Sequence, residues 1–196
     1  MAQPQRYHSL AIILHWVMAV GFLLMLGSGF LMVNAPLEQF LQFQLYQWHK
    51  AGGVLLLCAF GLRLLLRFIQ RQPALPAHLP TCEKRGAKLG HLGLYSLMLA
   101  MPFTGWVMVS SSVYGLPTMV FGWFEWPHIP GLAGNATLNT NAKTAHFYLA
   151  LIFSVMIAVH ILAVVKHMRL DGINLLRRMW WGKPKMKEDA ACTISS

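Results

Sequence analysis

Charge is scarce in this sequence. Only 11% of its 196 residues are Asp, Glu, Lys or Arg, against 56% hydrophobic, and a soluble domain of this size carries about twice that charged fraction. The mean hydropathy of +0.50 points the same way. The chain therefore reads as an integral membrane protein of one compact domain. Cysteine is scarce as well: Cys58, Cys82 and Cys192 are scattered, with no CxxC and no CxxCH. That spacing argues against a zinc ribbon, a dithiol redox centre, covalently attached c-type haem and a disulfide framework. Internal repeats and low-complexity tracts are lacking too. A cleavable leader is not expected, because Pro36 follows the small residues around Ala35 and the apolar stretch is too long for an h-region.

What is present is apolar length. No charged residue occurs from Tyr7 through Leu37. Four spans are expected, at about 10–33, 45–69, 89–110 and 144–166, each long enough for the ~20 residues a hydrocarbon core demands. The fold class is all-α, an integral membrane four-helix bundle occupying residues 1–181, followed by a polar tail at 182–196 that is expected to be disordered. Between the third and fourth spans runs a long aromatic loop. Its Trp123, Phe124 and Trp126 suit a short element at headgroup level, as an interfacial belt or a substrate lid.

The net charge of +10 would ordinarily raise nucleic acid or an anionic surface as a partner. Its distribution says otherwise. One side of the expected topology holds Arg6, Arg63, Arg67, Arg71, Lys84, Arg85, Lys88, Lys166, Arg169, Arg177, Arg178, Lys183, Lys185 and Lys187, which is fourteen of the sixteen basic residues. The other side holds Lys50 and Lys143. By the positive-inside rule both termini are expected in the cytoplasm of a bacterial inner membrane, with lipid and not nucleic acid as the partner.

Histidine is the anomaly. His146 and His160 lie in the fourth span, fourteen residues apart, a rise of about 21 Å that ends about 40° short of four whole turns. They share a face at two depths. The topology places His49, near the outer start of the second span, level with His146. His15, near the inner start of the first, falls level with His160. Each pair comes from two helices, the arrangement that grips a flat macrocycle from both faces. Two imidazoles per site, with no carboxylate or thiolate nearby, suit zinc and di-iron poorly. Haem supplies four ligands and leaves two axial positions, so His15, His160, His49 and His146 are expected to be the metal ligands of two b-type haems. With both axial positions filled, dioxygen has no site, and electron transfer is the expected chemistry.

Other polar residues fall at useful depths. Arg63 follows His49 by fourteen residues, which puts it at the inner level, to pair with a haem propionate or to snorkel to the surface with Arg67. Lys50 and Lys143 flank the outer pair, to serve the outer propionates or simply to be solvated. His91 and His167 are expected beyond the inner haem, either as proton donors to a quinone or as ordinary interfacial histidines. Gly21, Gly27, Gly29, Gly52, Gly53 and Gly105 permit close packing.

The segments "RYHSLAIILHW", "HKAGGVLLLCAFGLRLLLR", "LGHLGLYSLMLAMPFTGWVM", "AHFYLALIFSVMIAVHILAVVKH" and "DGINLLRRM" occur in this order between Arg6 and Met179. With them the chain resembles the bacterial cytochrome b561 family of four-helix di-haem membrane proteins. The resemblance implies haem ligands at His15, His49, His146 and His160. One type of member is similar to a superoxide oxidase, in which superoxide gives an electron on the periplasmic side and ubiquinone is reduced near the cytoplasm. Its quinone-proximal histidines match His91 and His167. Many members carry a second histidine immediately afterwards, where this chain has Met168.

Three functions follow as alternatives. The first is a superoxide:ubiquinone oxidoreductase. The second is a membrane anchor passing electrons for a periplasmic redox protein, as hydrogenase and formate dehydrogenase cytochrome subunits do. The third is a haem-free helical bundle.

Overall fold

The computed structural model describes residues 6–70, 73, 79–172 and 175–181. The polar tail at 182–196 lies outside the described residues. Four long helices dominate: α1 (Ser9–Asn34), α2 (Gln39–Ile69), α3 (Thr81–Ser110) and α4 (Ala136–Arg169). Each is long and apolar enough to cross a membrane. Three start earlier than the apolar runs do, because polar residues carry the helix past the point where hydropathy falls. Gln39, Gln42 and Gln44 extend α2, and Glu83 to Lys88 lie inside α3. At α4 the side chain of Asn135 accepts the Leu138 amide at 2.9 Å and sets the start. His8 does the same for α1, its Nδ1 accepting the Leu10 amide at 3.3 Å.

Neighbouring helices pack in sequence, α1 on α2, α2 on α3 and α3 on α4. Between lipid-exposed helices the packing gain is van der Waals contact rather than escape from water, so small residues decide the approach. Gly21 illustrates this: a Cβ there would meet Leu56 Cδ2 at 2.8 Å. Midway along the bundle Met18, Phe22, Leu56, Phe60, Leu97 and Phe153 form the buried core. Phe22 and Phe153 meet edge to face with centroids 5.0 Å apart. Outward-facing side chains such as Leu24, Phe68 and Leu162 are exposed, as a lipid-facing surface requires.

The aromatic loop is more ordered than the composition foretells. It forms a small antiparallel hairpin, β1 (Thr118–Val120) paired with β2 (Phe124–Trp126), in which Met119 faces Glu125. Trp106 Nε1 donates to the Pro127 carbonyl at 2.8 Å, the Ile129 amide donates to Ser110 Oγ at 2.9 Å, and Asn139 Nδ2 donates to the Met108 carbonyl at 2.6 Å. These bonds tie the hairpin region to α3 and α4. Trp126 stacks edge-on against Trp106 at 5.6 Å, whereas Trp123 is 84% exposed.

At the opposite, basic end, a 3-10 turn at Leu175–Met179 returns the chain to α1. Trp16 Nε1 donates to the Met179 carbonyl at 2.7 Å, and the Tyr7 amide to the Arg178 carbonyl at 3.3 Å. Phe153→Ala should open a cavity in mid-bundle and cost about 1–3 kcal/mol, the packing share of the ~3–5 seen in water-soluble cores. Detergent-titrated unfolding of the purified protein measures it.

Candidate metal centres

Each end of the bundle brings histidines together across helices. At the hairpin end, His49 of α2 and His146 of α4 face each other with ring centroids 6.3 Å apart. At the basic end, His15 of α1 and His160 of α4 stand 6.4 Å apart. A metal held between two imidazoles at about 2.0–2.1 Å per bond sets the centroids roughly 6.3 Å apart. Both spacings therefore fit an iron between the rings.

The rings at the hairpin end are held by a repeated device. Ser28 Oγ donates to the Met25 carbonyl at 3.0 Å and lies 2.9 Å from His49 Nδ1. Thr104 Oγ1 donates to the carbonyls of Ala100 and Met101, both at 2.9 Å, and lies 3.0 Å from His146 Nδ1. With each hydroxyl proton directed to a helix carbonyl, the oxygen accepts from Nδ1–H and leaves the Nε2 lone pair for a metal. A glycine follows each hydroxyl. Cβ atoms built on Gly29 and Gly105 would lie 3.4 Å from His49 Cε1 and 3.3 Å from His146 Cε1, so the bare backbone makes room for the ring. The sequence reading missed Ser28 and Thr104; a hydroxyl–glycine dipeptide inside an apolar helix was the available signal.

The basic end is arranged differently. Arg63 Nη1 donates to the Ala11 carbonyl at 3.2 Å, and Nη2 lies 3.3 Å from His15 Nδ1. A guanidinium can only donate, so Nδ1 of His15 accepts here, the reverse of the rings at the hairpin end. Arg63 Nε is buried and has no hydrogen-bond partner among the described residues. Such an orphaned donor fits an anionic group not yet in place, as a haem carboxylate would be. Arg63 and Arg67 both lie over the Tyr95 ring, at 5.9 and 5.0 Å. A small cavity of about 40 Å³ opens beside them, lined in part by Tyr7, Gln70 and His91.

His91 departs from its expected depth. Its ring lies 5.9 Å from that of His160, beside the His15–His160 pair and not beyond it. The physical reason is the early start of α3, which puts His91 ten residues past Thr81. His167 sits elsewhere, at the basic end of α4: its Nδ1 is 2.6 Å from Asp171 Oδ2 and 3.9 Å from Glu83 Oε2. Lys166 Nζ bridges the same two carboxylates at 2.6 and 2.9 Å. Glu83, His167 and Asp171 could together ligate a cation, but the Lys166 ammonium already stands between the carboxylates. His91 and His167 thus belong to separate clusters. Lys50 points to protein as well, donating to the Pro117 carbonyl at 2.7 Å, and Lys143 is exposed on α4 one turn before His146.

A family model described as prokaryotic cytochrome b561 matches residues 6–182. The chain belongs to that family. Among curated proteins, it is 31% identical over 178 residues to cytochrome b561 homolog 2 of Escherichia coli (strain K12), covering 90% of this chain and 92% of the relative. The family expected from the motifs is the one found. Membership makes this cytochrome b561 a multi-pass inner-membrane protein of electron transfer that binds b-type haem.

Ser28→Ala and Thr104→Ala should each weaken haem retention at the hairpin end by about 10–100-fold, the usual cost of losing the group that orients a ligating histidine. Haem titration of the stripped protein measures this, and unchanged affinity in both would remove the hydroxyls from the design. At the other end, the hydrogen bond from Lys166 holds the Asp171 carboxyl below its usual range, with His167 assisting. A lowered carboxylate stabilises the fold above its ordinary value, about pH 4, and that contribution is lost as pH falls through the lowered one. Hydrogen exchange at residues 167–171, corrected for intrinsic rates, should therefore rise as acid protonates Asp171, and Asp171→Asn should show the raised rate already above about pH 4.

Proposed function

We propose that this cytochrome is a di-haem oxidoreductase that takes electrons from superoxide on the periplasmic side and delivers them to ubiquinone near the cytoplasm. One observation carries the reading: two interhelical histidine pairs, each at the spacing of a bis-imidazole iron site, at opposite ends of one bundle. His49 and His146 would hold the outer haem, and His15 and His160 the inner one. Haem held there would supply reversible one-electron chemistry.

The chain's own groups complete the two ends. Ser28 and Thr104 fix the tautomer of the outer ligands. His15 can ligate through Nε2 only once Arg63 gives up its hold on Nδ1, and Arg63 would do so by pairing with a haem carboxylate. His91, Tyr95 and the arginines then face a small polar cavity at the cytoplasmic end, where a quinone carbonyl could be protonated. His167 would load protons at the surface from the Glu83–Lys166–Asp171 cluster rather than touch the quinone directly. On the outside, Lys143 lies within one turn of His146 and favours an anionic donor. The distribution of basic residues supports both termini lying in the cytoplasm.

A second reading draws on the outer surface. Tyr114 and Trp123 are 82% and 84% exposed, a surface suited to a periplasmic redox protein for which this chain would be the membrane anchor. Stoichiometric co-purification with such a partner favours that reading.

The reduced-minus-oxidised visible spectrum should show b-type bands with two haems per chain. His146→Ala and His160→Ala should each lose one, while His91→Ala keeps both; loss of a haem on removing His91 would transfer the inner ligand role to it. Superoxide pulsed onto the oxidised protein should reduce the haem, and added ubiquinone should reoxidise it. A haem spectrum indifferent to superoxide would overturn the donor, and one indifferent to ubiquinone the acceptor.

A further inference from the structure

The indole Nε1 of Trp126 and the imidazole Nε2 of His128 are buried without a hydrogen-bond partner among the described residues. Buried polar atoms are nearly always paired, and an indole N–H can only donate, so Trp126 calls for an acceptor. The fold fixes where that acceptor must be. Trp126 stacks edge-on against Trp106 at 5.6 Å, and Trp106 Nε1 donates to the carbonyl of Pro127, the residue between the two. Trp106 follows Gly105, where an added Cβ would meet the His146 ring at 3.3 Å. Across the hairpin Trp126 pairs with Thr118, and the carbonyl of the preceding Pro117 accepts from Lys50, the residue after His49. Thr118 and Val120 are 5% and 1% exposed, so β1 is pressed onto the bundle. Trp126 is thus bracketed by neighbours of His49 on one side and of His146 on the other.

Other polar groups at this end are already engaged. Lys50 is bonded to the hairpin backbone, Lys143 is exposed on α4, and Ser28 and Thr104 face the ring nitrogens. Haem b ends in propionate carboxylates, and a carboxylate taken out of water needs donors. We propose that Trp126 Nε1 and His128 Nε2 donate to one carboxylate of the haem between His49 and His146, with His128 carrying its proton on Nε2. An anionic oxygen suits both atoms at once, since each then only donates, whereas a water molecule would leave its own two protons to be placed. The inference rests on the reading that this histidine pair holds a haem. It gives the hairpin end a counterpart to Arg63, whose Nε is likewise buried and unpartnered among the described residues at the basic end. Here the donors are neutral where Arg63 is a cation.

The test uses the full-length protein in phospholipid nanodiscs, loaded either with iron protoporphyrin IX or with its dimethyl ester, which lacks the carboxylates. Transfer to an excess of haem-free globin gives the rate of loss, and the spectral component missing from His146→Ala identifies the haem at the hairpin end. Trp126→Phe keeps a ring against Trp106 but removes the donor. His128→Leu removes the second donor, and His128→Gln restores an N–H. Trp126→Phe and His128→Leu should each speed loss of that haem about 10–100-fold, as losing a hydrogen bond to a charged group does, and His128→Gln should recover most of the difference. The ester should leave the unaltered protein at least as fast as haem leaves either donor variant, and its rate should be indifferent to all three substitutions. Infrared spectra of haem isotopically labelled in its carboxyl carbons should show the carboxylate stretch moved by Trp126→Phe. Equal acceleration of haem and ester would make the effect one of packing and overturn the proposal. Unchanged retention in both donor variants would overturn it too, leaving an ordered water as their partner. If His146→Ala keeps both haems, the reading beneath the proposal fails and takes the proposal with it.

Discussion

An imidazole carried into hydrocarbon must find a partner for each of its two nitrogens, because no water is available to satisfy them. In this bundle the partners of Nδ1 are protein groups: Ser28 for His49, Thr104 for His146 and Arg63 for His15. At the hairpin end the hydroxyls leave the two Nε2 atoms for a second partner, and rings 6.3 Å apart have room to share a metal; at the basic end His15 has that freedom only when Arg63 releases its Nδ1. The helix order, the bare glycine backbone beside the outer rings and the apolar plug between the two levels all accommodate that requirement.

The two ends meet it with different chemistry. At the hairpin end the hydroxyl–glycine pairs Ser28–Gly29 and Thr104–Gly105 repeat on α1 and α3, each gripping a ring from a different helix. Neutral hydroxyls hold the rings without bringing charge into the bundle. At the basic end a permanent cation, Arg63, does the holding. In the proposed di-haem reading the bias would be asymmetric: positive potential from Arg63 at the basic end would favour an added electron there, whereas the hairpin end has its hydroxyls with Lys50 and Lys143 at the rim. Such an asymmetry gives a conduit a preferred direction.

Much of this was legible in the sequence. Fourteen-residue gaps put His146 over His160 and Arg63 below His49, and the structure places Arg63 against His15, the level that spacing implies. Periodicity could say this because long apolar helices have one geometry. Helix ends could not be read so, since Gln39 to Gln44 and Thr81 to Lys88 are polar yet helical, and the misjudged start of α3 displaced His91. The hairpin escaped notice because three-residue strands leave no alternating pattern. The Glu83–Lys166–Asp171 cluster depends on the start of α3 meeting the end of α4, which no local signal encodes.

The mid-bundle plug around Phe22 and Phe153 has an electrical consequence. Its six buried residues, Met18, Phe22, Leu56, Phe60, Leu97 and Phe153, carry no titratable group, so none of them can relay a proton to compensate a charge that crosses their level. The histidine levels it separates lie fourteen residues apart on α4, about 21 Å of a hydrocarbon layer roughly 30 Å thick. An electron moved between them crosses about two-thirds of the membrane voltage, or roughly 1.5 kcal/mol per 100 mV. In the proposed orientation that work is done against an interior that is negative. An energised membrane would slow the flow and a collapsed one release it, making the protein a voltage-sensitive resistor by virtue of its packing alone.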